Sequence, residues 1–282
     1  LLHVGKAGVK LRLFSPRLTP PVRTMLRRIL PVAVGAGVYQ ISLLIDTIIA
    51  SLLPTGSISY LFFADRVNQL PMGVVGVAVG TALLPMLSRQ VRAGDKTAAN
   101  HSLNRALEFS LFLALPAATA LIVIATPVIS VLFERGAFGS TQTAATSSAL
   151  AVYATGLPAY VLVKVLTTDF FAHEDTATPV KIGILAVTLN LILNLLLMGP
   201  LLHVGIAAAT AISSWFNFSL LAFVLFKRGY FSLDSRLKSR LPRMVAANTI
   251  MALLLYVGIL NLDEFLAGNQ LEKITALIIK EL

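Results

Sequence analysis

The chain has 282 residues, 56% of them hydrophobic and only 13% charged, with a mean hydropathy of +0.82. Soluble domains carry about 25% charged residues, so the deficit, with repeated apolar runs of roughly 18 or more, excludes an ordinary soluble enzyme and predicts an all-α, polytopic membrane helix bundle. The formal net charge of +10 collects in loops on alternate sides of the apolar runs, which is the positive-inside pattern rather than a nucleic-acid footprint, and the absence of Cys excludes disulfides and thiolate metal sites.

Residues 1–28 are basic and contain proline, with Lys6, Lys10, Arg12, Arg17, Arg23, Arg27 and Arg28. Two readings stay open for them: a cuff that meets anionic lipid or a phosphorylated head group, or an ordinary cytoplasmic flank. The spans then follow at about 29–53, 58–87, 107–133, 143–168, 179–198, 204–226 and 244–262, with an eighth from Ile274 cut off at Leu282. Turns are expected at Pro54–Ser57 and Gly199–His203. Polar loops are expected at 88–105, 169–178 and 227–243, and bends in the third span at Pro116 and Pro127. Eighteen Lys and Arg fall on one side of these spans and two, Arg135 and Lys273, on the other. The basic side is therefore cytoplasmic, and the chain starts there.

Motifs of catalysis are missing. There is no GxSxG and no Gly-rich phosphate loop, and His3, His101, His173 and His203 stand singly. His173-Glu174-Asp175 reads as a solvated loop rather than a metal cluster, and Lys164 as a side chain that snorkels to the interface. Gly76-Val-Ala-Val-Gly80 means close helix packing.

The polar residues inside the spans are more informative, because a charge at bilayer depth is costly and is a functional-site hypothesis by default. Arg66 lies roughly 15 Å inward from the Pro54–Ser57 turn and Asp46, on the preceding span, roughly 12 Å inward, at 1.5 Å per residue. Either Asp46 or Asp65 neutralises Arg66 as a buried ion pair, or Arg66 faces an aqueous cavity and takes a phosphate by bidentate hydrogen bonds. Pro71, Gly73, Gly76 and Gly80 follow on the same span and mark it as a candidate gating element. Asn190 and Asn194 share one helix face, and the next turn returns Thr210 to similar depth. With Asp46 they form a set of hard oxygens suited to Na⁺, or they simply hydrogen-bond between helices.

Several segments, in order, resemble one family. They are Ala64-Asp-Arg66, Gln69-Leu-Pro-Met-Gly-Val-Val-Gly-Val-Ala-Val-Gly-Thr81 and Leu84-Pro-Met-Leu-Ser-Arg89, then Leu132-Phe-Glu-Arg-Gly-Ala-Phe138, Leu162-Val-Lys-Val-Leu166 and Thr178-Pro-Val-Lys181. Asn190-Leu-Ile-Leu-Asn-Leu-Leu-Leu-Met-Gly-Pro-Leu201 completes the series. The pattern resembles the MurJ (MviN) lipid II flippases of the multidrug/oligosaccharidyl-lipid/polysaccharide exporter superfamily.

The resemblance implies a transporter of two six-helix lobes plus two helices, of which this chain would be helices seven to fourteen. Residues 29–226 would then be the second lobe, following the basic segment 1–28, and 227–282 a cytoplasmic loop with additional helices. It implies movement of undecaprenyl-pyrophosphate-linked muropeptide across the bacterial cytoplasmic (inner) membrane by alternating access, with no bond made or broken. Its partners would be lipid II, membrane lipids and the missing first lobe, and not nucleic acid. It implies that Arg66, with Asp65 beside it, meets the pyrophosphate. A Na⁺ site would be formed by Asp46, Asn190, Asn194, Thr210 and the backbone carbonyl of Ile206, while the seventh and eighth spans would line a groove for the polyprenyl tail. A cation-coupled drug or polysaccharide-lipid exporter of the same superfamily, or a non-transporting membrane scaffold, is the alternative.

Overall fold

The computed structural model describes residues 19–260, so most of the basic segment and the expected eighth span lie outside the described residues. Seven helices follow one another: α1 (Pro20–Ser51), α2 (Ser57–Arg92), α3 (Lys96–Val123), α4 (Ala125–Phe133), α5 (Ser140–Ala172), α6 (Ala177–Lys227) and α7 (Ser235–Leu260). Among the described residues, four helices (α3, α5, α6 and α7) are long and apolar enough to cross a membrane. Gly76 and Gly80 are described only as helical backbone within α2.

Helix ends follow local chemistry. Two prolines open α1 after Thr19, where their missing N–H groups cost nothing. Between α1 and α2 the chain turns at Gly56, whose φ of +100 suits glycine, and Ser57 Oγ donates to the Pro54 carbonyl at 2.7 Å. The polar loop expected over 88–105 shrinks to Ala93-Gly94-Asp95. Arg89 and Arg92 extend α2 past the bilayer, where cations suit its C-terminus, and Asp95 caps α3 by accepting from the Ala98 N–H at 2.9 Å. The loops expected over 169–178 and 227–243 shorten in the same way, to His173–Thr176 and Arg228–Asp234.

One bend differs from expectation and one falls where it was expected. The third span is not one bent helix but α3 and α4, separated at Ile124, while Pro116 sits inside unbroken α3. The break falls where Pro127 can neither donate to the Val123 carbonyl nor avoid it. The reversal expected over Gly199–His203 falls within that stretch at Leu202, with φ 52 and ψ −133, so that α6 is two arms, 177–201 and 203–227. The arms cross closely. A Cβ added at Gly205 would strike the Leu197 carbonyl, so Gly205→Ala should force the arms apart and cost about 1–3 kcal/mol. A lowered melting temperature in detergent checks this; an unchanged one would mean the crossing is loose.

Apolar side chains point both ways because lipid, not water, surrounds the spans. On the first arm of α6, Ile182, Ala186, Asn190 and Asn194 are buried at four-residue spacing, while Ile184, Leu185, Ile192, Leu195 and Leu196 are exposed. The helix thus turns its greasy side outward and its amides inward. α5 is the hub, with 67% of its apolar stretch buried, and it packs against α2, α3, α4 and α6. At Gly156 of α5 an added Cβ would come within 3.0 Å of the Ala211 Cα on α6, the close approach that small residues permit between membrane helices. Core residues fall into two clusters. One lies toward the cytoplasmic ends, with Leu87, Leu103, Val165, Leu166, Phe170 and Leu225, and the other toward the outer ends, with Ile49, Leu61, Ile129, Leu150, Tyr153 and Ile206.

α7 is attached to the bundle through α3 by a polar strip. Asn100 exchanges hydrogen bonds with Ser232, and Asn104 donates to the Ser232 carbonyl and accepts from the Asp234 N–H. Arg105 pairs with both Glu108 and Asp234, and buried Glu108 also holds Arg236 and Arg240 at the start of α7. Glu108→Ala would remove the carboxylate that Arg105, Arg236 and Arg240 share, leave Arg105 only Asp234, and should loosen the junction. Faster hydrogen exchange over 228–243 is the expected readout; protection unchanged there would show that the apolar contacts alone hold α7.

Candidate functional site

α2 presents two faces. Leu61, Ala64, Val67 and Asn68 are buried against the bundle, whereas Phe62, Arg66, Leu70 and Gly73 form an exposed stripe. Arg66 therefore projects from the bundle about two and a half turns into α2, its guanidinium 4.9 Å from the Phe62 ring centroid. Among the described residues no ion pair joins Arg66 to Asp46 or Asp65. Asp65 instead accepts a hydrogen bond from Gln69 one turn on. Pro71 and Gly73 sit one to two turns beyond Arg66, and the α2 backbone is helical through both.

α1 packs along α6 and brings Asp46 to the amide face of its first arm. Asn194 Nδ2 donates to Asp46 Oδ1 at 2.6 Å and to Asn190 Oδ1 at 3.1 Å. Asn190 Nδ2 donates to Thr210 Oγ1 at 3.3 Å, and Thr210 Oγ1 donates to the Ile206 carbonyl at 3.0 Å. One connected network thus holds all five residues singled out as an oxygen set, three from side chains on α6, one from its backbone and one from α1. Asn190 and Asn194 are 3% and 0% exposed, while Asp46 and Thr210 at the two ends of the network are half-buried. Asn194 Oδ1 is buried with no hydrogen-bond partner. An all-oxygen group of this kind suits hard cations rather than transition metals.

Sequence comparison bears on what these features belong to. The sequence model of the family described as lipid II flippase MurJ matches residues 1–274. The chain belongs to the MurJ family. A probable lipid II flippase MurJ of Rhizobium meliloti (strain 1021) is 46% identical over 256 residues, covering 91% of this chain and 48% of the relative. That of Rhizobium tropici is 42% identical, covering 89% of this chain and 47% of its own length. This MurJ-family chain thus spans about half the length of the curated relatives it matches. Among solved structures, a lipid II flippase MurJ in an inward closed conformation superposes with a TM-score of 0.72 at 27% identity, over 99% of this chain and 56% of that one. An outward-facing multidrug transporter of the MATE family superposes with a TM-score of 0.63 at 21% identity, over 85% of this chain and 55% of that one, a likeness of fold alone. The multi-pass membrane architecture read from the MurJ-like segments is therefore the architecture of the molecule.

Other functional-looking residues find structural work. His173-Glu174-Asp175 is an organised corner rather than a solvated loop. The His173 ring stacks on Tyr230 at 4.0 Å, and Asp175 accepts from the Ala177 and Thr178 N–H groups at the start of α6 while pairing with Arg228 at 2.6 Å. Burial acts to raise the Asp175 pKa, but the hydrogen bonds from Thr178 and Arg228 outweigh it and hold the carboxyl below its ordinary value. The clasp it makes therefore persists through the neutral range and is lost only as the pH falls through that lowered value. Lys164 is exposed on α5. Sequence reasoning missed Glu108 and the corner at Tyr230, since each depends on partners more than fifty residues distant. The one available signal for the first was an acid, Glu108, just inside an apolar run flanked by arginines.

Proposed function

We propose that this chain is the second lobe of a flippase that carries lipid II from the inner to the outer leaflet of the bacterial cytoplasmic membrane. The observation that carries the proposal is Arg66, a guanidinium at membrane depth on the exposed stripe of α2 and unpaired with Asp46 or Asp65. A charge left in that position needs an anion or water, and a pyrophosphate supplies two neighbouring anionic groups for its planar fork. In a cavity of low dielectric such a contact is strong enough to draw the head group off the leaflet, while the lipid chain stays in the bilayer. No covalent step is involved. Pro71 and Gly73, directly below Arg66, are where α2 would bend as the cavity changes sides.

Within the same proposal, Asp46, Asn190, Asn194, Thr210 and the Ile206 carbonyl hold a Na⁺ ion. The residues fit it on two counts. Asp46 is a carboxylate with a neutral amide as its hydrogen-bond partner, and Asn194 Oδ1 is a buried acceptor with no donor. A bound cation would supply the missing positive charge. α1 and both arms of α6 meet at this network, so filling it would lock three segments together.

The test is cellular. In bacteria depleted of their own flippase, the full-length protein should restore lipid II to the outer face of the membrane, measured by its accessibility to an external probe. Lipid II that stays on the inner face, with the protein expressed and inserted, would overturn the reading.

A further inference from the structure

The junction of α3 and α7 carries a feature that the transport reading leaves unused. A groove of about 350 Å³ runs along it, with Phe112 and Pro116 of α3 on one wall and Met244 and Met251 of α7 on the other. Arg240 and Arg243 stand at its cytoplasmic end. Arg240 gives one nitrogen to Glu108 and remains 48% exposed, and Arg243 is exposed one turn further along the same helix. Phe112 is 60% exposed, although it lies on a helix long and apolar enough to span the bilayer. No residue in the apolar stretch of α7 is fully buried, and Met244, Asn248 and Met251 are half-buried. The groove is thus apolar along its length and cationic at one end, and the cation balance places that end at the cytoplasmic interface.

We propose that this groove binds one anionic phospholipid of the inner leaflet, with its phosphate on Arg240 and Arg243 and one acyl chain between Phe112 and Met251. Charge complementarity selects the occupant. The cytoplasmic leaflet is the anionic one, and basic pockets between helices at that face recognise phosphate head groups. The cluster keeps a surplus of positive charge, since Glu108 and Asp234 pair with Arg105, Arg236 and Arg240, and Arg243 lines the groove beside them. The groove is open along its side, so one acyl chain can lie in it with the remainder of the lipid in the bilayer. A lipid seated here would fill the space between α7 and the bundle and stiffen a helix whose cytoplasmic end is held by the polar strip and the buried Leu237. The site is separate from Arg66 and does not depend on the transport reading.

Full-length protein in nanodiscs of mixed phosphatidylethanolamine and phosphatidylglycerol, released and examined by native mass spectrometry, provides the test. The parent should retain one phosphatidylglycerol, and R240Q/R243Q should retain at least about fivefold less. Ala247→Trp, which fills the groove and keeps both arginines, should lose the lipid equally. R89Q/R92Q, which removes two cytoplasmic arginines away from the groove, should change nothing. Equal loss in that control pair would overturn the proposal in favour of unspecific charge attraction. Retention by Ala247→Trp, or displacement of the lipid by undecaprenyl phosphate at equal concentration, would overturn it too.

Discussion

Arg66→Ala in the full-length protein should abolish rescue of flippase-depleted cells while expression and membrane insertion stay normal. The side chain is exposed, packs on Phe62, and makes no ion pair with Asp46 or Asp65, so little of the fold depends on it. The loss falls instead on the substrate. A hydrogen bond to a charged group contributes about 1.5–3 kcal/mol, which corresponds to a drop of at least about tenfold in transport. Arg66→Lys separates charge from geometry. It should recover part of the activity, because the ammonium keeps the attraction but cannot offer two parallel N–H groups to a phosphate. Normal growth of Arg66→Ala would remove Arg66 from the substrate path, and full activity of Arg66→Lys would show that only charge matters.

The second large effect concerns the Asp46 network. Purified full-length protein should melt at a higher temperature in NaCl than in an equal concentration of KCl. A ligand present at about 100 times its dissociation constant adds about 2.7 kcal/mol to the folded state. Asp46→Asn should erase that difference. The substitution keeps the shape and a hydrogen bond to Asn194 but removes the charge that a cation would neutralise. Its melting temperature without Na⁺ should equal or exceed that of the parent, because an uncompensated buried carboxylate is itself unfavourable. Asn194→Leu should also erase the Na⁺ response, but with a large loss of basal stability, as it strips two hydrogen bonds from a fully buried position. A Na⁺ response that survives Asp46→Asn would place the ion elsewhere; no response in the parent would leave the network a set of interhelical hydrogen bonds.

These residues differ in how far the sequence alone could place them. Asn190, Asn194 and Thr210 were legible because an amide pair at helical spacing and a short return turn give depth by arithmetic, and the network at 2.6–3.3 Å joins them. The turn itself was legible only to within a few residues. A Gly-Pro pair draws the eye, yet the chain reverses at Leu202, where the crossing of Gly205 over Leu197 decides the geometry. For Arg66 the sequence held two readings open, since spacing fixes depth but not direction. The packing of Ala64 and Val67 against the bundle is what turns Arg66 outward.

The sequence by itself determined the class of molecule: an all-helical, multi-pass membrane protein with its basic loops on one side, and the family to which it belongs. The class rests on composition, span length and charge bias, which are sums over local residues and need no partner, and the family rests on the order of short segments such as 69–81 and 190–201. Only the tertiary structure decided where helices stop, how α7 is tied to α3 through Glu108, and which oxygens meet across α1 and α6. Each of these depends on contacts between residues far apart in the chain. Asp46 and Asn194 are 148 residues apart in the chain, and what brings them within hydrogen-bonding distance is the packing of α1 along α6.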